Sequence, residues 1–348
     1  MHLRLLVPGL FPQETGAPGS AWVQGLELPG LQLALSRGER LGDGGRQLRP
    51  EALIFEAMGY AELGRGYPVA AASRIADTGQ AEPGPFLRAD PVHLKTDLSG
   101  AELTAGDDLA LDAQEAEALA QMLRPAFSEL DCELEAVHPV RWYLRPKSTP
   151  PAIDTRAPEL RSGPPGGTYL PGGKDGPIWR RVLTESEMLL HAAPTNAQRE
   201  GSGRPVINSL WIWGGGQLPE QAPAPQSPWR GVYSDHPVAV GLARHAGIPV
   251  EPLEPGKAMA LGDADARLVV LDSLYGSARA ERIEDWQRQL VELDRCWFAP
   301  LVSALKQRSL RSAAIDGGDG RGVELSARGV KRWWKRRRPL SQLWSEMT

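Results

Sequence analysis

The chain has 348 residues, 41% of them apolar, and a formal net charge of −4. This length suits one large α/β domain or two domains, and the apolar fraction is enough for a buried core. No run of about 18 apolar residues is present, which excludes a transmembrane helix, and residues 1–8 lack the features of a secretory signal. Because the sequence has two cysteines, Cys132 and Cys296, it excludes a disulfide framework and a Cys-rich zinc module. We therefore expect a cytoplasmic protein with no membrane partner.

Apolar periodicity predicts strands that alternate with helices along the chain, which is typical of an α/β sheet. The predicted strands are 3–10, which ends at Pro8-Gly9, then 137–144, 206–213, 248–253 and 267–272. The predicted helices are 50–60, 111–127, 236–246 and 281–306, the last kinked at Pro300, and a capping box at Thr184–Glu187 opens another. Residues 145–177 hold eight Pro and six Gly and are predicted to be a loop.

Three of these segments, 3–7, 206–213 and 268–271, are the most apolar and strand-like in the chain. Apolar residues at nearly every position are typical of parallel strands that are covered on both faces. We therefore predict an α/β fold in which these segments share a mainly parallel sheet flanked by helices.

A polar constellation occurs at Arg88, Asp90 and His93, where six residues bring together a cation, a carboxylate and an imidazole. Arg88 and His93 could bind an anionic group, with Asp90 orienting one of them. The alternative is a strand or turn whose polar side chains pair with each other.

Two further blocks carry candidate ligand-binding residues. Asn196 and Arg199 could present donors to a phosphate or carboxylate near a helix end, or could be a helix cap and a solvated arginine. In the stretch 208–216, Trp211 and Trp213 share one face of a strand, and the glycines after them permit close approach of a ligand to the backbone. Alternatively the tryptophans pack in a core and the glycines form a turn. The predicted site for an anionic ligand thus comprises Arg88, Asp90, His93, Asn196, Arg199, Asn208, Trp211, Trp213, Gly214, Gly215 and Gly216.

A basic, aromatic segment lies near the C-terminus, from Lys331 to Arg338. Seven cations and no acid fall between Arg328 and Arg338, so the segment could contact phosphates while tryptophan stacks on bases. Alternatively it pairs with the acidic stretch 97–135, or Trp333 and Trp334 anchor it on the core. Because the whole chain is acidic, we do not expect a nucleic-acid partner.

These blocks resemble a known family. Residues 88–94, 196–199 and 208–216 are similar to the conserved blocks of bacterial regulatory proteins of the RpfE type, and that likeness extends over nearly the whole chain. The order of elements also resembles, more remotely, archaeal-type cofactor-independent phosphoglycerate mutases, in which segments like 55–60 and 64–66 precede an inserted domain and segments like 267–305 follow it.

The resemblance to the mutases implies an alkaline-phosphatase-like core, residues 1–87 and 147–348, with a small inserted α+β domain at 88–146. It also implies two divalent metals and a serine that accepts the phosphoryl group. The metal ligands would follow the first strand, a late strand and the last strand, but here those places carry Val7-Pro8-Gly9, Asp272 without a following histidine, and Ile315-Asp316-Gly317. No serine lies before Glu51 where the nucleophile is expected.

A two-metal phosphoryl site needs about six hard or imidazole ligands, and the sequence has no histidine after His245. We therefore predict no metal and no cofactor, and a regulatory protein that binds an anionic small molecule or a protein partner. Two alternatives stay open. One is an active phosphomutase or phosphatase with a rearranged site, and the other is a nucleic-acid-associated protein that acts through its basic segment.

Overall fold

The structure is a computed structural model, and it describes residues 2–12, 19–42, 48–62, 66–97, 100–158, 170–223, 229–254, 257–259 and 266–347. Its strands are β1 (His2–Leu6), β2 (Glu39–Arg40), β3 (Phe86–Asp97), β4 (Gly100–Ala105), β5 (Cys132–His138), β6 (Arg141–Pro146), β7 (Ser209–Gly216), β8 (Trp229–Tyr233), β9 (Val250–Glu251), β10 (Ala266–Val270), β11 (Ser312–Asp316) and β12 (Gly322–Ser326).

The helices are α1 (Gly19–Trp22), α2 (Pro29–Arg37), α3 (Pro50–Ala57), α4 (Val69–Thr78), α5 (Ala113–Ser128), α6 (Gly176–His191), α7 (Pro194–Gly201), α8 (Pro237–His245), α9 (Ser273–Arg279), α10 (Ile283–Leu293), α11 (Ala299–Gln307) and α12 (Leu340–Met347). None of the helices in these described stretches is both long and apolar enough to cross a bilayer. The chain divides into two compact units, Met1–Tyr60 with Pro223–Thr348, and Ala61–Ala222.

The first unit contains a sheet in the order β2-β12-β11-β1-β10-β8-β9. Strands β11, β1, β10, β8 and β9 run parallel. At one edge β12 is antiparallel to both of its neighbours, β11 and β2. Leu3 and Leu5 of β1 belong to a core with residues of α2, α10 and α11, whereas Leu6 shares a cavity wall with Leu53 of α3. Both faces of β1 are thus covered, which confirms the predicted mixed α/β fold with a mainly parallel sheet flanked by helices.

The second unit is an antiparallel sheet in the order β4-β3-β6-β5, with β7 paired to β3. Alternation along β3 sends Leu87 and Ala89 into a core with α5 and α6. Arg88 and Asp90 point to the opposite face, where Arg88 bonds to Ser73 of α4. This unit begins and ends outside the predicted insert at 88–146, because β7, far along the chain, completes the sheet that β3 begins.

Residues 206–213 are therefore a correction to the predicted parallel sheet. They do contribute a strand, β7, but it lies antiparallel to β3 in the second unit, while the predicted segments 3–7 and 268–271 do pair in parallel. Leu210 and Ile212 face one core, and Trp211 and Trp213 face the other side. The strand is buried on both faces, but an apolar pattern does not reveal which strand it pairs with.

Three local predictions also differ from the structure. The predicted strand 137–144 spans the turn between β5 and β6, which form a hairpin. The predicted capping box at Thr184–Glu187 lies inside α6, which begins two turns earlier with Pro177 in its first turn. The predicted helix 281–306 is divided into α10 and α11 by a π-helical turn at Asp294–Phe298, just before Pro300. Proline has no N–H to continue the hydrogen-bond ladder of an α-helix.

Candidate functional site

The predicted ligand-binding residues Arg88, Asp90 and Trp213 do come together, on the α4 face of the antiparallel sheet. The Arg88 guanidinium lies 2.7 Å from Asp90 Oδ1 and donates to Ser73 Oγ at 3.3 Å. The Trp213 indole N–H donates to Asp90 Oδ2 at 2.7 Å, and its ring lies 5.3 Å from the Arg88 guanidinium carbon. All of these side chains are buried, so the group is a satisfied polar network.

The network extends along α4 to a second ion pair. Tyr143 lies under the Arg88 guanidinium, with its ring centre 5.5 Å from the guanidinium carbon. Its hydroxyl donates to Asp77 Oδ2 at 2.5 Å, and Arg141 Nε donates to the same oxygen at 2.8 Å. The network ties the helix to the sheet and leaves few donors for a ligand.

The two carboxylates of this network have pKa values shifted in opposite directions. Burial raises the pKa of Asp90, against the lowering effect of the Arg88 charge and of the Trp213 hydrogen bond. Burial also acts to raise the pKa of Asp77, but hydrogen bonds from Arg141 and Tyr143 outweigh it, and the pKa of Asp77 lies below its usual value. Asp77 therefore has the better-stabilised charge.

The glycines at the end of β7 permit close packing of α4. Gly214 has a positive φ of 64°, and a Cβ on it would lie 3.0 Å from Val69 Cβ. A Cβ on Gly216 would lie 3.0 Å from Pro68 Cβ, and one on Gly215 would lie 3.2 Å from Leu87 Cδ2. The close approach that these glycines allow is thus made by the protein's own chain. Trp211 is likewise engaged, since its indole N–H donates to the Arg156 carbonyl at 2.7 Å.

The other predicted ligand-binding residues bond to the backbone elsewhere in the second unit. Asn208 accepts from Leu94 N at 2.8 Å and donates to Leu94 O at 2.7 Å. His93 Nδ1 lies 2.9 Å from Val206 O. Asn196 donates to two carbonyls and accepts from Ile207 N at 2.8 Å. Each of these side chains contacts the backbone of a neighbouring segment.

Arg199 is the clearest case, because its side chain is 0% exposed. It donates to Glu115 Oε2 at 2.6 Å and to Pro205 O at 2.9 Å. Further bonds reach the carbonyls of Leu109 and Ala110. None of these partners belongs to the Arg88 network, so the contacts favour two separate structural clusters. A shared anion site made from all eleven residues stays a prediction.

A different cluster lies in the first unit, at the carboxyl ends of the parallel strands, where open α/β sheets bind ligands. We call Arg49, Glu51, His236 and Asp272 the carboxyl-edge cluster. His236 follows β8 and caps α8, Asp272 follows β10, and Glu51 lies in the first turn of α3. Sequence analysis singled out Asp272 as a residue at a possible metal-ligand position, but it did not identify Arg49, Glu51 or His236 as site residues. The feature that could have identified them is their place in the chain, since each follows a parallel strand or lies at the start of a helix beside one.

Hydrogen bonds fix the proton position on His236. Its Nδ1 accepts from Val238 N at 3.2 Å, so in the neutral ring the proton is on Nε2, which lies 4.0 Å from Asp272 Oδ2. The Asp272 side chain is 43% exposed. Burial acts to raise the pKa of Glu51, but the charges of Arg49 and His236 outweigh it, so its pKa lies below the usual value. The cluster thus presents a guanidinium, an imidazole and two carboxylates, which are groups that can contact a polar ligand.

A cavity of about 300 Å³ lies in the same unit, between β1, β11 and α3. Its charged lining is Arg4, Glu56 and Asp316. Arg4 Nε donates to Asp316 Oδ2 at 3.0 Å, and Asp316 Oδ1 accepts from Gly318 N at 2.8 Å. Both oxygens of Asp316 are therefore used inside the protein.

The end of β1, where the resemblance to the mutases calls for an acidic metal ligand, carries no acidic residue, and Gly9 has no room for a side chain. The chain there is Val7-Pro8-Gly9, and Gly9 has a φ of 81°. A Cβ on Gly9 would lie 2.9 Å from Tyr275 Cα and 3.0 Å from the Leu274 carbonyl. The first turn of α9 thus occupies the space beside the strand end.

The donor set does not fit a pair of divalent metals. Among the residues that the structure describes, no group of three or more His, Cys, Asp and Glu side chains is placed to hold a metal ion. Asp316 is neutralised by Arg4, and Asp272 has one imidazole beside it. Two-metal phosphoryl sites instead bring several carboxylates and imidazoles onto ions about 4 Å apart.

Comparison with known proteins gives a partial relationship. One segment of 55 residues is 38% identical to the 2,3-bisphosphoglycerate-independent phosphoglycerate mutase of Methanosarcina barkeri, and 52 residues are 38% identical to that of Methanosarcina mazei. The chain is homologous, though weakly, to cofactor-independent phosphoglycerate mutases. The matches span 16% and 15% of this chain and only 14% and 13% of those relatives. No family model matches the chain.

Solved structures extend the likeness at the level of fold. The structure of the PH0037 protein from Pyrococcus horikoshii matches with a TM-score of 0.51 and 13% identity, over 93% of this chain and 86% of that one. The cofactor-independent phosphoglycerate mutase from Thermoplasma acidophilum matches with a TM-score of 0.39 and 19% identity, over 84% of this chain and 83% of that one. The Pyrococcus match shows a shared fold, and the RpfE-type resemblance stays a prediction.

Proposed function

We propose that this phosphoglycerate-mutase-like protein does not perform two-metal phosphoryl transfer and acts instead as a regulatory protein that binds an anionic small molecule or a protein partner. The observation that carries the proposal is the end of β1, where Gly9 packs on the backbone of α9. An acidic ligand at this position would have to displace the Tyr275 backbone. The regulatory part of the proposal rests on the resemblance of residues 88–94, 196–199 and 208–216 to RpfE-type proteins.

The chemistry of the carboxyl-edge cluster supports ligand binding more than phosphoryl transfer. The carboxyl-edge cluster supplies a guanidinium, an imidazole and two carboxylates, which suit recognition of a polar ligand. Covalent phosphoryl transfer also needs a nucleophile beside its activating group. Where the mutases' serine is expected, before Glu51, this chain has Arg49 and Pro50.

The proposal is tested by assaying the purified full chain for interconversion of 3-phosphoglycerate and 2-phosphoglycerate, with Mn²⁺, with Mg²⁺ and with EDTA. We expect no turnover above the rate without protein under any condition. Metal-dependent turnover that is lost in Asp272→Asn would overturn the proposal. Arg230→Ala is the matched control, because Arg230 is an exposed residue of the same unit.

A rearranged phosphatase or phosphomutase is the second candidate, favoured by one observation: His236 Nε2 lies 4.0 Å from Asp272 Oδ2, within ion-pair range but beyond hydrogen-bond distance. A histidine that is oriented by a carboxylate can serve as a general acid or base. Hydrolysis of p-nitrophenyl phosphate separates the candidates. Activity that falls at least about a hundredfold in His236→Asn would favour this enzyme, whereas residual activity equal in both proteins would reject it.

A further inference from the structure

Two of the eleven tryptophans are exposed, and they are adjacent. Trp333 is 79% exposed and Trp334 is 65% exposed. Trp229 is partly buried and the other eight are buried. A large apolar side chain at the surface is ordinary when it stands alone, but a contiguous pair indicates a contact surface. The predicted anchoring of both rings on the core is thus wrong, because the core tryptophan of this region is Trp344.

The segment that carries the pair, residues 331–338, is held in place by side chains of α2. Gln32 Nε2 donates to Arg338 O at 2.6 Å, and Arg37 Nε donates to Lys335 O at 3.2 Å. Arg37 also donates to Val330 O. Arg338 N donates to Ser36 Oγ at 3.2 Å. Because helix side chains fix the backbone at both ends, the segment presents its tryptophans on a supported turn.

Cationic residues flank the exposed tryptophans in the sequence. Arg332 pairs with Glu39, and Arg338 pairs with Glu346. Within the described residues, no ion pair is made by Lys331, Lys335 or Arg336, and all three are exposed.

More cations come from the neighbouring strand ends. Ala327 N donates to Arg311 O at 2.8 Å, which places Arg311 and Arg328 beside the start of the segment. Arg308 ends the preceding helix. The described part of the chain shows no ion pair for any of the three. The result is a positive surface on a protein with a net charge of −4.

We propose that residues 331–338 form a docking site for a membrane surface that contains anionic phospholipids. Exposed indoles prefer the headgroup layer of a bilayer, and clustered Lys and Arg bind its anionic lipids. Attachment of this kind needs no spanning helix. The proposal departs from the expectation of no membrane partner, which rested on the lack of a long apolar segment.

The geometry of the rings favours a bilayer over single-stranded nucleic acid. The two ring centres lie 6.1 Å apart and the ring planes cross at 84°, so the edge of one ring meets the face of the other. Platforms that bind successive bases offer a free ring face to each base. Two indoles in edge-to-face contact can still enter a headgroup layer together.

Co-sedimentation of the full chain with vesicles tests the proposal. We expect binding to vesicles of phosphatidylcholine with phosphatidylglycerol, weakened by added salt, and little binding to pure phosphatidylcholine vesicles. The variant K335E/R336E should weaken binding at least about tenfold, since each cation near an anionic surface contributes roughly a factor of five. W333A/W334A should weaken it at least about fivefold and abolish any lipid-induced blue shift of the tryptophan emission.

A matched control separates the local surface from net charge. K174E/R230E changes the total charge by the same amount at two other exposed positions and should bind vesicles like the wild type. Because all the substituted side chains are exposed, circular dichroism should show an unchanged fold. The proposal is overturned by equal binding of all variants, by no binding to anionic vesicles, or by salt-sensitive binding to a single-stranded oligonucleotide without vesicle binding.

Discussion

At the scale of single residues, burial favours a structural interpretation of some predicted ligand-binding residues. Arg199 is the example, because an Asn-x-x-Arg block near a helix end is compatible with phosphate binding, with a solvated arginine, or with a buried one. The structure shows the last, with the guanidinium bonded to Glu115 and to backbone carbonyls. Sequence spacing gives the location of such a residue on its helix but not the loop that covers it.

Replacing Arg199 is therefore expected to affect stability. Arg199→Ala should lower the free energy of unfolding by about 3 kcal/mol or more, because buried carbonyls and Glu115 lose their partner. Urea denaturation followed by circular dichroism measures the change. Arg181→Ala is the control, since Arg181 is 66% exposed, and we expect a change within about 0.5 kcal/mol. Equal small effects in both variants would contradict the structural role.

Asp90 should give the protein a measurable pH dependence of stability. Burial raises its folded-state pKa, so as pH rises above about 4 the unfolded chain loses this proton first, and the free energy of unfolding falls. Asp90→Asn removes that contribution, and its stability should vary less with pH between the unfolded and folded pKa values. Urea titrations across this pH range test the slope, and identical slopes would refute the prediction.

Asp77 should show the opposite sign. Its folded-state pKa lies below the usual value, because hydrogen bonds from Arg141 and Tyr143 outweigh burial. Its stabilising contribution is therefore present above the unfolded pKa and is lost as pH falls through the folded pKa. Asp77→Asn should remove that acid-side loss. Urea titrations of both variants measure how each substitution changes the pH dependence of the free energy of unfolding. If the two substitutions changed that dependence in the same direction, the assigned network would be wrong.

At the scale of elements, the sequence predicts where strands and helices lie better than which ones pair. The strand at 206–213 and the helices at 50–60, 111–127 and 236–246 occur close to their predicted positions. The prediction that β7 joins the parallel sheet was wrong, because an apolar pattern carries no information about which strands pair. For residues 88–93 the sequence leaves open a strand or turn whose polar side chains pair with each other, and the structure places them in β3, where Arg88 pairs with Asp90. Pro91 and polar residues at alternate positions normally lower strand propensity, so the pattern alone does not predict the full length of β3.

The packing of Gly9, just after β1, against α9 can be tested by a substitution that adds one methyl group. Gly9→Ala should lower the free energy of unfolding by about 2 to 4 kcal/mol, because it adds a backbone clash to the cost of a positive φ. Gly25→Ala is a close control, since Gly25 has a φ of 76° and nothing within 4 Å of its added Cβ. It should cost only about 1 kcal/mol. Thermal and urea unfolding give both values, and equal costs would mean that the end of β1 is open.

At the scale of the whole molecule, the two units have separate cores. One core gathers residues of α2, α10, α11 and the parallel sheet, and the other gathers residues of α5, α6 and the antiparallel sheet. We expect the fragment Ala61–Ala222 to fold alone with a cooperative urea transition. A fragment that lacks such a transition would show that this core needs the rest of the chain.

The chain is a weak homologue of cofactor-independent phosphoglycerate mutases, and we propose that it lacks a two-metal centre. The fold could be predicted because alternating elements and chain order are visible in the sequence. The candidate site could be predicted only in part. Asp272 follows β10 and Asp316 ends β11, which the sequence pattern indicates, whereas the pairing of Asp316 with Arg4 depends on the register of β1 against β11.

Titration of the metal-free full chain with Mn²⁺ in a calorimeter tests this claim most directly. We expect no pair of tight sites, because Asp316 is held by Arg4 and Gly9, after β1, has no room for a side chain. Two equivalents of Mn²⁺ bound with micromolar or tighter affinity, and lost in Asp272→Asn, would contradict it.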